Sequence, residues 1–78
     1  MLFRYNLCKN NVLYFLRDKA RTKKEIIKKF EIHNEWLVDW KLDELLELGL
    51  VEQQGNKYHI TAEGRKEILD YNPIGVKI

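Results

Sequence analysis

The residues of this chain that could do chemistry are sorted by charge along the sequence. Between Lys9 and Lys29 stand eight basic residues against only Asp18 and Glu25, a local balance of +6. Clustered cations of this kind neutralise a polyanion, and phosphate is the usual one. Lys24, Lys28 and Lys29 fall on the outward side of one short helix, with Lys23 at its start. Arg17, Lys19 and Arg21 lie just before it. Phosphate contact is weighed against an ordinary solvated helix face, and it leads slightly, because the cations gather where such a helix would cross a nucleic-acid backbone.

The next stretch is the reverse. From Glu31 to Glu52 there are seven acids (Glu31, Glu35, Asp39, Asp43, Glu44, Glu47, Glu52) against Lys41, a balance of −6. Trp36 and Trp40 lie one helical turn apart among these carboxylates. Exposed aromatics of this type are enriched at protein interfaces. An equal reading has the chain's own ends, Leu2-Phe3 or Ile74–Val76, covering the rings. Stacking on unpaired bases ranks well behind, because Glu35, Asp39, Asp43 and Glu47 surround the rings.

Catalysis and metal chemistry find almost no support. No Gly-rich phosphate loop and no nucleophile–His constellation stands at a recognisable spacing. Cys8, His33 and His59 match no zinc-ligand pattern. The expectation is a non-enzyme without metal or cofactor. The single Cys8 allows no internal disulfide and agrees with a reducing, cytoplasmic compartment. No apolar run approaches the roughly 20 residues that span a bilayer, and Met1-Leu2-Phe3-Arg4 lacks the regions of a signal peptide.

The elements that must position these residues fit one domain, residues 1–78, with a core over 9–71, an arm at 1–8 and a tail at 72–78. A chain of 78 residues buries a marginal core, so a homodimer or another partner is expected. Lys9 to Lys19 reads as a first helix with Val12, Leu13, Leu16 and Ala20 on one side. Ala20-Arg21 is a short connection. Thr22-Lys23-Lys24-Glu25 fits a capping box, and the second helix then runs to Phe30 with Ile26, Ile27 and Phe30 inward. Asn34 is a good N-cap for a third helix, on which Leu37, Val38, Leu42, Leu45, Leu46 and Leu48 share a broad apolar side.

Gly49 stands where a left-handed C-cap is needed. Gly55-Asn56 between Leu50–Gln53 and Lys57–Ile60 predicts a hairpin. Thr61 caps a last helix over Ala62 to Tyr71, with Ile68, Leu69 and Tyr71 as apolar contacts. Gly64 inside it predicts close approach of another backbone. Pro73 ends it, before a short β-prone tail.

Two stretches carry a family resemblance. Leu42-Asp43-Glu44-Leu45-Leu46-Glu47-Leu48-Gly49-Leu50-Val51 is similar to a Leu pair followed by Gly-Leu-Ile/Val leading into a wing. Tyr58-His59-Ile60-Thr61-Ala62-Glu63-Gly64 is similar to the Tyr-x-Leu-Thr-x-x-Gly that follows it. With Thr22–Ile26, the match covers residues 9 to 71 and resembles the winged helix-turn-helix superfamily of small archaeal, viral and bacterial transcriptional regulators. The resemblance implies a mostly α fold with a two-stranded wing. It implies a DNA-binding transcriptional regulator, a homodimer joined through the first helix, the chain ends or the last helix.

Carried onto this sequence, phosphate contacts fall to Arg21, Lys23, Lys24, Lys28, Lys29 and the wing cation Lys57. Asn34, Gln53, Gln54 and Asn56 are the polar contacts. The groove face of the third helix departs from the family's Ser, Thr, Arg and Gln, for it holds Asn34, Glu35, Trp36, Asp39, Trp40 and Asp43. At base edges a carboxylate accepts only from cytosine N4. The alternative is a protein-interaction module that docks a basic partner through Trp36, Asp39, Trp40 and Asp43.

Overall fold

A computed structural model describes residues 7–71. Over these residues the order is α1 (Lys9–Phe15), β1 (Arg21–Thr22), α2 (Lys23–Phe30), α3 (Glu35–Glu47), β2 (Val51–Gln54), β3 (Lys57–Ile60) and α4 (Ala62–Glu67). The described residues thus form four helices and a three-stranded antiparallel sheet, in the strand order β1-β3-β2. The expected two-stranded hairpin is extended by β1. Arg21 pairs with Tyr58 and Thr22 with Lys57, so the segment expected to be a plain connection is a short edge strand. Two residues are too few to show alternation, and their strand character comes from β3. No helix of the described residues is long and apolar enough to cross a membrane.

The helix boundaries follow from local chemistry. Thr22 Oγ1 accepts from the Glu25 backbone N–H while Glu25 Oε1 accepts from the Thr22 N–H, which completes the capping box of α2. Asn34 Oδ1 accepts from the Trp36 N–H at the start of α3. At the far end of α3, Gly49 takes φ +75°. The Leu50 N–H then reaches Leu45 O and the Gly49 N–H reaches Leu46 O, the paired bonds of a Schellman stop. The same pair closes α2, from Ile32 to Ile27 O and from Glu31 to Lys28 O, with Glu31 itself at φ 54°.

Two helices stop earlier than expected. α1 ends at Phe15, with the Leu16 and Arg17 N–H groups tightening onto the last carbonyls. Arg17 Nη1 also donates to Tyr14 O, which satisfies a terminal carbonyl. α4 ends at Glu67, and the Ile68, Leu69 and Tyr71 N–H groups make tight turn bonds beyond it. The expected stop at Pro73, the tail 74–78 and the arm 1–6 lie outside the described residues.

The core joins one stripe from each element. Val12, Leu13 and Leu16 of α1 and its C-cap meet Ile26 and Phe30 of α2, Val38, Leu42 and Leu45 of α3, and Leu50, Val51 and Ile60 around the hairpin. The stripe of α3 is narrower than its sequence suggests. Leu37 and Leu48 are exposed, and Leu69 beyond α4 is 80% exposed. Thr61 ties the hairpin to α3. Its N–H donates to Leu50 O and its hydroxyl to Gly49 O, while the same oxygen accepts from the Gly64 N–H. Gly64 is as close to a neighbour as expected: an ideal Cβ there would stand 2.3 Å from Leu50 O.

Candidate functional site

The basic residues divide into those held within the fold and those left to solvent. Lys23 is held. Its Nζ lies 2.9 Å from Asp39 Oδ1 and 3.8 Å from Glu35 Oε2, so the first lysine of α2 is clamped by the outward face of α3. The Asp39 hydrogen bond is the main reason its ammonium is stabilised above the ordinary lysine pKa, and the Asp39 and Glu35 charges add to it. Arg17 is held too, with its guanidinium 3.6 Å from the Tyr14 ring centre and 3.8 Å from Asp18. Arg65 donates to Arg17 O, and Lys9 pairs with Glu67, which fastens α4 to α1.

Lys24 and Lys28 point outward from α2, and among the described residues neither has an ion-pair partner. Lys29 is exposed beside them, with its Nζ 5.8 Å from the centre of the Phe15 ring. Arg21 stacks on the same ring at 4.2 Å, and its Nε is buried without a hydrogen-bond partner. Phe15, Arg21, Glu25, Lys28 and Lys29 line one open groove. Phe15 therefore acts as a platform under two cations.

The β1–β3 register sets the hairpin cation beside the start of α2. Lys57 is paired with Thr22, the N-cap of α2, and is exposed. Gln54 and Asn56 are exposed at the turn, while Gln53 Nε2 donates to Gly55 O and braces it. Tyr58, next along β3, is half-buried, and burial pushes its phenol above the ordinary range. The sites expected from the sequence are thus partly joined: Arg21, Lys28 and Lys29 line one groove, Lys24 lies one turn before Lys28 on α2, and Lys57 is paired beside the helix start. Lys23 is turned towards α3, and the Asn34 side-chain oxygen is used as a helix cap.

The outward face of α3 has its own geometry. Trp36 and Trp40 are 61% and 64% exposed. Their ring centroids are 5.5 Å apart at an interplanar angle of 31°. Asp43, Glu44 and Glu47 are exposed beyond them. Lys41 pairs with Glu44 at 3.0 Å. Asp43 and Glu47 have no ion-pair partner among the described residues. Trp40, Lys41, Asp43, Glu44 and Glu47 line a shallow depression. The chain ends that could cover the rings lie outside the described residues.

Among the described residues no group of three potential metal ligands comes together. His59 instead faces Glu52 across the hairpin, Nε2 to Oε1 at 2.9 Å. No family model, curated protein or solved structure matches this chain.

Proposed function

We propose that this chain is a winged helix-turn-helix module that binds duplex DNA as a cytoplasmic transcriptional regulator, with α2 and the hairpin gripping phosphates. In this reading α2 and α3 are the helix-turn-helix, β2 and β3 are the wing, and the module acts as a homodimer. One observation carries the proposal. Lys28 and Lys29 line one groove with Arg21, the exposed Lys24 lies one turn before Lys28 on α2, and the β1–β3 pairing sets Lys57 beside the start of the same helix. Each phosphate such a cation neutralises releases a counterion, so binding draws on the entropy of ion release.

The acidic face of α3 shapes the mode of binding. Asp43, Glu44 and Glu47 would repel phosphate, so α3 is not laid flat into the major groove. Asn34 at its start and Gln53, Gln54 and Asn56 on the hairpin supply uncharged contacts. Affinity comes chiefly from phosphate, and sequence preference is modest. The test is a gel-shift comparison of the parent with Lys24→Glu and Lys28→Glu on a duplex of random sequence. Each reversal is expected to weaken binding by about tenfold, roughly 1.4 kcal/mol. Undiminished binding by both variants would contradict the proposal.

A further inference from the structure

We propose that the outward face of α3 is a second docking surface, one that takes a basic, Arg- or Lys-bearing segment of a partner protein. Trp36, Trp40, Asp43 and Glu47 follow one another at helical spacings of four, three and four, so they form one continuous stripe. The two rings lie beside each other in solvent. Two indoles left so exposed, with Asp43, Glu44 and Glu47 lining the depression beside Trp40, are matched by a cation that sits on a ring face while its charge meets an acid.

Charge complementarity selects the occupant. α3 holds Glu35, Asp39, Asp43, Glu44 and Glu47 against Lys41, and even with Lys23 clamped on it acids outnumber cations, a balance that repels nucleic acid and attracts a basic chain. The fold already contains one such contact. Lys23 occupies the acids at the N-terminal half of the face, Glu35 and Asp39. The C-terminal half repeats the acids without the lysine: Asp43 and Glu47 stand open beside Trp40, in the depression that ends the stripe. A guanidinium or ammonium from a partner would take there the place that Lys23 takes two turns earlier. This surface is separate from the α2 cations and does not depend on the DNA-binding proposal.

The chain reports on the site directly, because its only two tryptophans are these two. The test follows Trp emission of the full chain during titration with a peptide of alternating Arg and Gly, at low salt. A saturable change is expected, and the matching Glu-Gly peptide should give none. Asp43→Lys and Glu47→Lys, both at exposed positions, should each weaken the Arg-Gly interaction about tenfold, with circular dichroism verifying the fold. Lys24→Glu should leave it intact.

A linear response to the Arg-Gly peptide, an equal response to the acidic one, or indifference to both charge reversals would overturn the proposal. So would indoles shielded from acrylamide before any peptide is added. That result would mean that the chain's own ends or a second copy already occupy the face.

Discussion

Lys23 Nζ stands 2.9 Å from Asp39 Oδ1, so one of the four lysines of α2 is directed at the protein and not at solvent. Its charge is already answered within the fold. Lys23→Ala should therefore lower DNA affinity less than Lys24→Ala or Lys28→Ala. Asp39→Asn should do the opposite of a loss. It frees Lys23, tightens binding, and steepens the salt dependence by up to about 0.9 in the log–log slope. Anisotropy of a labelled duplex across a salt series measures both effects.

The same clamp has a defined pH window. The Lys23 pKa is raised in the fold, chiefly by the Asp39 hydrogen bond. A raised pKa means that the contribution is fully present below the ordinary lysine pKa and is lost as pH rises through the folded value. The thermal stability of the parent and of Asp39→Asn should thus differ by a constant amount through neutral pH, and the difference should shrink in strongly alkaline buffer as the Lys23 ammonium is lost.

Thr22 and Glu25 give the acid counterpart. Thr22→Ala removes the hydroxyl that caps α2 and should cost about 1 kcal/mol, about 4–8 °C in melting temperature for a domain of this size. The Glu25 pKa is lowered, first by the Thr22 backbone N–H and also by the Thr22 hydroxyl. A lowered pKa contributes stability above the ordinary carboxylate pKa, and that stability is lost as pH falls through the folded value. Glu25→Gln should therefore narrow the gap in melting temperature between neutral pH and the acid range where Glu25 titrates. Melts at a series of pH values verify this.

Gly64→Ala separates helix propensity from packing. Propensity alone favours Ala by about 1 kcal/mol. The added Cβ would meet Leu50 O at 2.3 Å and Ile60 Cγ1 at 2.7 Å. Leu50 O is backbone, and it also accepts the Thr61 N–H, so it has little room to yield. Overpacking of this kind costs about 1–3 kcal/mol, and the variant should be less stable than the parent in chemical denaturation.

Tyr71 anchors the segment after α4. Its hydroxyl donates to Oδ1 of the buried Asn11, and its ring meets Tyr14 edge-on. Tyr71→Phe keeps the ring and removes the donor. A loss of about 1 kcal/mol is expected, read from the denaturant midpoint.

Much of this fold was legible because local signals are strong at its caps and turns. Thr22, Asn34, Thr61, Gly49 and the Gly55-Asn56 turn all act as their residue types suggest, since each satisfies or frees a backbone group within a few positions of itself. What depended on distant partners was not legible. β1 exists because β3 lies beside it. Leu37 and Leu48 belong to the apolar side of α3 by angle, yet the elements packed on that helix cover only Val38, Leu42, Leu45 and part of Leu46. Asn11, polar and buried, accepts from Tyr71, sixty positions away.

The candidate site divides in the same way. The clustering of cations on α2 was visible in the sequence. That Lys23 leaves the cluster for Asp39, and that Arg21 and Lys29 share the Phe15 ring, required the tertiary arrangement. The exposure of Trp36 and Trp40 also required it, because helical spacing placed them outside the core stripe without saying whether anything covered them.

The central claim, phosphate-driven binding through α2 and the hairpin, is tested most directly by the affinity of the full chain for a random labelled duplex as salt is raised. Five engaged cations (Arg21, Lys24, Lys28, Lys29 and Lys57) predict micromolar binding at low salt and a log–log slope of about −4.5, reduced in magnitude by about 0.9 when Lys24 or Lys28 is replaced by Ala. No binding at low salt, or a slope unchanged by either substitution, would contradict the account and leave the α3 face as the working surface of the protein.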